Sequence, residues 1–358
     1  MVNVLNKPSE ETQIRMADAL ERIADTRVQE DYSTSPGSKY LLAGDKDAGF
    51  FGFVQAVDLI TGDDLALDLG FSAGSSQNSD TAWIKYIWNG KVCFTPAKTF
   101  RHSIPWDSIY NVGAVYASGD EGSLPPSGRL GTELTIDDTD NSINTTGHFL
   151  GDETSAMDYY DTVGAVGDII VLDGWTNSAN NGEFTIDSIT DTKIVVTGGT
   201  LVSEAGDRTN RLYNKANVVT QSAEVVIDGL TYRVRLFKGA ADDPTDSYAD
   251  SDRGSIGPEN EWNGIILPVH ERAKLQDWNY TEYVGTTEDW EVSLTDRDLL
   301  THNDFGSGSR SWCQEARDDD QTFSRVRRGN PGASHLDAFF SWRTYSSSGW
   351  RPVLELLG

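Results

Sequence analysis

The sequence predicts a mainly β protein with some α, an α+β chain whose weight lies in its strands. Three observations carry that expectation. The 358 residues include 34 glycines with 13 tyrosines, 13 phenylalanines and 10 tryptophans, a composition of short aromatic strands between tight turns. Two hairpin signatures, Asn89-Gly90 and Asp228-Gly229, each lie between strand-like runs, and such pairs supply the positive φ that a two-residue hairpin turn demands. The chain closes on Gly349-Trp350-Arg351-Pro352-Val353-Leu354-Glu355-Leu356, apolar enough to be a buried strand. Pro352 fits only at that strand's start or on an edge, because it has no backbone N–H to donate.

The length allows two or more cores. A formal charge of -27 argues against nucleic-acid and anionic-membrane partners, which attract basic surfaces. No run of about 20 apolar residues exists, so no membrane insertion is expected. Met1 to Pro8 has no apolar signal region, which points to synthesis in the cytosol. Two cysteines, Cys93 and Cys313, exclude a disulfide framework or a cysteine zinc site. Two reduced thiols or a single bridge both remain open.

Residues 1–39 read as a helical arm and linker. Ser9 caps a start with Glu10 and Glu11 in the first turn, where the helix dipole favours acids. Met16, Leu20 and Ile23 then recur at helical spacing. So short a helix is marginal alone. It either packs on its own domain or joins copies of itself, and the polar run Ser33 to Ser38 favours self-assembly into a homo-oligomer, with a trimer as the expected state.

From Tyr40 the pattern is strands. Phe50, Phe51, Phe53 and Val54 form one, with Gly49 and Gly52 placed for bends. Trp83 to Trp88 and Lys91 to Phe94 flank the first hairpin turn. Pro105 to Tyr110 reads as a short helix or turn, and the Gly/Ser/Pro-rich stretch Ser118 to Gly128 marks a boundary. Residues 130–221 read as a separate small β-sandwich or barrel, with strands and their turns at Gly167 to Trp175, Asn180 to Ile186 and Lys193 to Gly199. Glu224 to Ile227 and Leu230 to Leu236 flank the second turn. There Tyr232, Val234 and Leu236 share one face, and Arg233 and Arg235 are expected to solubilise the other. Asp242 to Asp252 is an acidic loop.

Several separated segments then resemble one group. They are Trp83-Ile84-Lys85-Tyr86, Arg101-His102-Ser103-Ile104-Pro105-Trp106, Glu261-Trp262-Asn263, Ser311-Trp312-Cys313-Gln314-Glu315 and the closing Trp350-Arg351 strand. Together they resemble tailed-bacteriophage virion proteins with a C-type-lectin-like domain. Formylglycine-generating enzymes and the variable receptor-binding proteins of phages with diversity-generating retroelements share that fold. The resemblance covers 40–129 and 222–358, the first and second parts of one domain. Residues 130–221, with Gly174-Trp175-Thr176-Asn177 and Asn180-Asn181-Gly182-Glu183-Phe184-Thr185-Ile186, resemble a small phage β-module inserted between them. The sulfatase-modifying relatives work through paired cysteines that Cys93 and Cys313 do not match, so no enzyme activity is implied.

The resemblance implies a virion structural protein, a capsid-decoration, fibre or tail-associated component with other virion proteins as partners. It also implies that residues just before the closing strand form the displayed surface, for host-surface glycan or receptor binding. The candidate ligand-contact residues there are His335, Phe339, Phe340, Trp342, Arg343 and Tyr345, a mixture of aromatics and serines typical of adaptable binding loops. Arg325, Arg327 and Arg328, a basic run in an acidic chain, join them as a candidate phosphate or sugar-acid contact or as partners of carboxylates on a neighbour or on the chain's own acidic loop. Trp83, Trp262, Trp312 and Trp350 are assigned to the core. The five histidines, His102, His148, His270, His302 and His335, have no ligand spacing, and no metal or other cofactor is expected. Ca²⁺ at Asp137-Asp138-Thr139-Asp140 or Asp318-Asp319-Asp320 stays open against a plain solvated turn, since neither has EF-hand spacing. Two alternatives stand beside the binding reading: a polysaccharide-degrading virion enzyme, and a purely structural connector without a ligand.

Overall fold

The structure, a computed structural model, describes residues 34–116, 128–150, 162–207, 209–219, 222–240, 260–271, 289–300, 307–316, 324–330 and 332–358. The predicted N-terminal helix with Met16, Leu20 and Ile23, the whole acidic loop at 242–252, His302 and Asp318 to Asp320 lie outside them. The described chain is mainly β, in three sheets.

The closing strand Val353–Leu356 sits inside a seven-stranded sheet and not at its margin. The spatial order is Ala43–Gly44, Ala48–Val54, Trp83–Trp88, Lys91–Pro96, Val353–Leu356, Leu230–Arg235 and Ala223–Ile227, and every pairing is antiparallel. Pro352 precedes the strand, so its missing N–H costs no ladder bond. Both hairpin turns have the required geometry, with φ of 49° and 77° at Asn89 and Gly90 and 50° and 82° at Asp228 and Gly229.

This sheet is covered on both faces. Trp83, Phe94, Tyr232, Val234 and Leu354 enter one core with Phe71, Phe100, Trp106, Trp312 and Trp350. The alternate residues Ile84, Tyr86, Cys93 and Val353 enter another with Phe237, Trp262, Ile265, Ile266 and Val326. A bulge between Phe50 and Gly52 switches faces along Ala48–Val54, with Gly52 at φ 116°. Phe50 therefore joins the second core and Val54 the first. The run expected as a linker also packs here: Ser35 is buried and the Ser38 carbonyl accepts from Lys85 Nζ at 2.7 Å.

The second face is closed by the helix Glu261–Val269, all of whose residues are buried. Asn260 caps it by accepting from Asn263 N at 2.9 Å. Gly264 lets it approach Trp88, since a Cβ there would stand 2.4 Å from the indole. A six-stranded sheet completes this part, in the order Leu336–Phe340, Ser324–Arg328, Arg310–Ala316, Ser348–Trp350, Arg101–His102 and Ser75–Ser76. Only Arg310–Ala316 and Ser348–Trp350 pair in parallel there. The helix Trp106–Asn111 occupies the stretch expected as helix or turn.

The third sheet has eight antiparallel strands drawn only from residues 129–214, beginning with Arg129–Leu130 and ending with Arg211–Asn214. Its core, including Ile136, Ile143, Ile170, Trp175, Phe184, Val196 and Leu212, also lies within that range. The seven-stranded sheet takes strands from both sides of it.

Candidate functional site

Among the described residues Leu336–Phe340 is an edge strand paired with Ser324–Arg328 alone, in the register Arg327 to Asp337 and Arg325 to Phe339. Its rings and those of the turn after it form one half-exposed cluster. Phe340 and Trp342 stack with centroids 5.6 Å apart and an interplanar angle of 25°. Phe339 meets Phe340 at 5.7 Å and Tyr345 at 5.4 Å. The Arg343 guanidinium lies 6.0, 5.4 and 5.2 Å from the rings of Phe339, Phe340 and Trp342. Tyr345 is 50% exposed. Short backbone bonds hold the turn: Arg343 N donates to Phe340 O, Ser348 N to Tyr345 O, and Asp107 N at the start of its helix to Ser341 O.

A buried polar frame fixes the strand from below. Arg327 donates to both oxygens of Asp337, Nε to Oδ1 at 3.0 Å and Nη2 to Oδ2 at 2.9 Å, and its Nη1 donates to Ser348 Oγ. Arg310 pairs with the same carboxylate and donates to Ser347 Oγ. Such a two-point fork is the strong form of the ion pair.

The three arginines of the basic run are therefore interior residues that lie off the exposed surface. Their strand is second from the edge and flanked on both sides, so all five of its residues are buried. Arg325 lies 4.4 Å over the Trp106 ring, and Arg328 donates to Gly239 O, Asn263 Oδ1 and Ser334 O. His335 shapes the turn between the strands, its carbonyl accepting from Gly329 N and its N–H donating to Gly332 O. The residues brought together at the surface are Phe339, Phe340, Trp342, Arg343 and Tyr345. Trp83, Trp262, Trp312 and Trp350 are wholly buried, and the first three donate to the carbonyls of Ile60, Ala333 and Ile104.

A second constellation was not read from the sequence. Arg235, expected on a solvated face, is buried and lies between two buried acids, because the helix Glu261–Val269 covers that face. Arg235 Nη1 and Nη2 donate to Glu261 Oε2 and Oε1 at 2.7 and 2.8 Å, and Nε to Glu355 Oε2 at 3.0 Å. Tyr86 Oη and Lys238 N also donate to Glu261. Lys91 and Arg233 reach the other oxygen of Glu355. Burial, reinforced by Glu261, pushes the Tyr86 hydroxyl pKa well above its ordinary value. Burial acts against Glu355, yet Lys91 and Arg235 hold its carboxyl below the usual range. Every carboxylate oxygen is engaged, so the cluster ties the closing strand to the helix. An acid between Leu354 and Leu356 was the available signal.

Cys93 and Cys313 are both free and buried, and burial raises both thiols. His148 lies 2.6 Å from Asp191, His270 2.9 Å from Asp296, and His102 2.9 Å from Ser103 Oγ. Asp137 accepts from the N–H and hydroxyl of Thr139, and Asp140 pairs with Lys193. Among the described residues no group of three or more His, Cys, Asp or Glu is arranged to hold a metal ion. No protein-family model, curated protein or solved structure matches the chain.

Proposed function

We propose that the chain is a bacteriophage virion structural protein that displays a C-type-lectin-like domain for host-surface glycan or receptor binding. The observation that carries this reading is the half-exposed ring and guanidinium cluster of Phe339, Phe340, Trp342, Arg343 and Tyr345. Ring faces of this kind stack on the C–H faces of sugars, and an arginine fork beside them takes hydroxyl or carboxylate oxygens. The lectin-like part of the reading is supported by the closing strand, which joins segments from 43–96 and 223–235 in one sheet. The self-contained sheet at 129–214 suits a module inserted between them. Other virion proteins and further copies of the chain are its structural partners.

The test uses the full chain with Trp342→Ala and Arg343→Ala variants, measured on immobilised host-envelope polysaccharide and on whole host cells. Wild type binds, and each variant loses about 10- to 100-fold in affinity, as central aromatic and arginine contacts do, with unchanged melting. Equal binding by all three proteins, or none by wild type, overturns the reading.

A further inference from the structure

Arg351 is the residue by which the chain passes from the strand Ser348–Trp350 of one sheet to Val353–Leu356 of the other. It has no solvent exposure. Its guanidinium lies 5.3 Å from the centre of the Trp262 ring. The other buried arginines have acceptors: Arg235 has Glu261 and Glu355, Arg327 has Asp337, and Arg328 has Gly239 O and Asn263 Oδ1. Arg351 differs. Among the described residues no oxygen accepts from its Nε, Nη1 or Nη2.

The neighbours do not make up the difference. A ring face attracts the cation but offers no acceptor in the guanidinium plane. The Cys313 sulfur is near enough to act on the guanidinium, yet burial raises that thiol well above its ordinary value, so at neutral pH it carries no charge. Burial brings the Arg351 pKa down to about 9, which still leaves it charged at neutral pH. A buried charge without a counter-charge is among the costliest arrangements a fold can hold.

We propose that Arg351, against the Trp262 face, binds a small, weakly hydrated monovalent anion of the halide or nitrate class. The class follows from the surroundings. The anion must give up its water to reach an interior guanidinium, which favours weakly hydrated ions. Its single charge matches the one unmatched guanidinium, and the donor fork suits a sphere or a planar oxyanion. Such an ion supports the crossing between the two sheets, and so the closing strand.

The experiment is thermal unfolding of the full chain at constant ionic strength while sodium gluconate is replaced by chloride, bromide or nitrate. For wild type the melting temperature rises saturably, by about 2–4 °C, whereas Arg351→Met shows no such rise. Crystals grown in bromide carry an anomalous peak within hydrogen-bonding distance of the Arg351 guanidinium, a measurement that stands even if the variant does not fold. A wild-type response that is absent or only linear, the same saturable response in Arg351→Met, or bromide peaks on the surface alone would overturn the proposal.

Discussion

The contact between Arg235 and Glu261 gives the sharpest test of how this fold is held. Arg235→Met removes two of the donors on Glu261 and leaves it with Tyr86 Oη and Lys238 N. Glu261 has no solvent exposure, so its charge then stays in the interior without a cation. Breaking a buried pair from one side costs about 3–5 kcal/mol, a large part of the roughly 5–15 kcal/mol that holds a domain. Glu355 adds little to that cost, because Lys91 and Arg233 remain 2.7 and 3.3 Å from its Oε1. Glu261→Met is milder, since Arg235 keeps Glu355 and the Leu236 carbonyl. The double variant removes both charges and leaves Tyr86 Oη and Lys238 N without their acceptor. At about 1 kcal/mol each, it should fall about 2 kcal/mol below wild type and above Arg235→Met alone. Urea unfolding followed by tryptophan fluorescence reads these values from the midpoint at constant slope. The reasoning fails if Arg235→Met lies within about 1 kcal/mol of wild type, or if the double variant is no more stable than that single one.

Two further outcomes follow from the same interior. Glu355 has a folded-state pKa below its ordinary value of 4.5, so the stability it contributes is present above that value and is lost as pH falls through the lower, folded pKa. Unfolding midpoints measured between pH 6 and pH 3 should therefore drop less steeply for Glu355→Gln than for wild type, and parallel curves would refute the assignment. The two thiols, Cys93 and Cys313, are buried with raised pKa values. A thiol reagent should titrate neither in the native protein and both in denaturant, and a fast-reacting thiol under native conditions would contradict their placement.

What could be read from the sequence was local chemistry. Asn89-Gly90 and Asp228-Gly229 announce their turns because few other residue pairs accept two positive φ values in succession. The closing strand announces itself through Val353, Leu354 and Leu356. Arg233 and Arg235 misled for a definite reason. Alternation shows that two faces differ, and it does not show whether a helix from elsewhere covers the polar one. The helix that covers Arg235 carries Glu261, and the other acid, Glu355, comes from 120 residues away. For the run Arg325 to Arg328 the charge pointed to carboxylate partners on a neighbour or on the acidic loop, but the strand lies between two neighbours, and Asp337 reaches Arg327 only through cross-strand register.

The candidate surface and the buried frame are two uses of one stretch of chain. Asp337 faces inward to Arg327 and Arg310, while three residues on Phe340 and Trp342 stack at the surface. The frame matters to the proposed binding because ordering a loose aromatic loop consumes part of the affinity it would give. Here the backbone of 340–348 is already bonded to itself and to the helix at Asp107, so rings and guanidinium are ordered before a ligand arrives. Ser348–Trp350, directly after the turn, is a core strand, with Trp350 edge-on to Phe71 at 5.0 Å. On the proposed binding role, side chains at 342, 343 and 345 can thus change what the surface takes while the residues that hold it in place, Asp337, Ser348 and Trp350, stay unchanged.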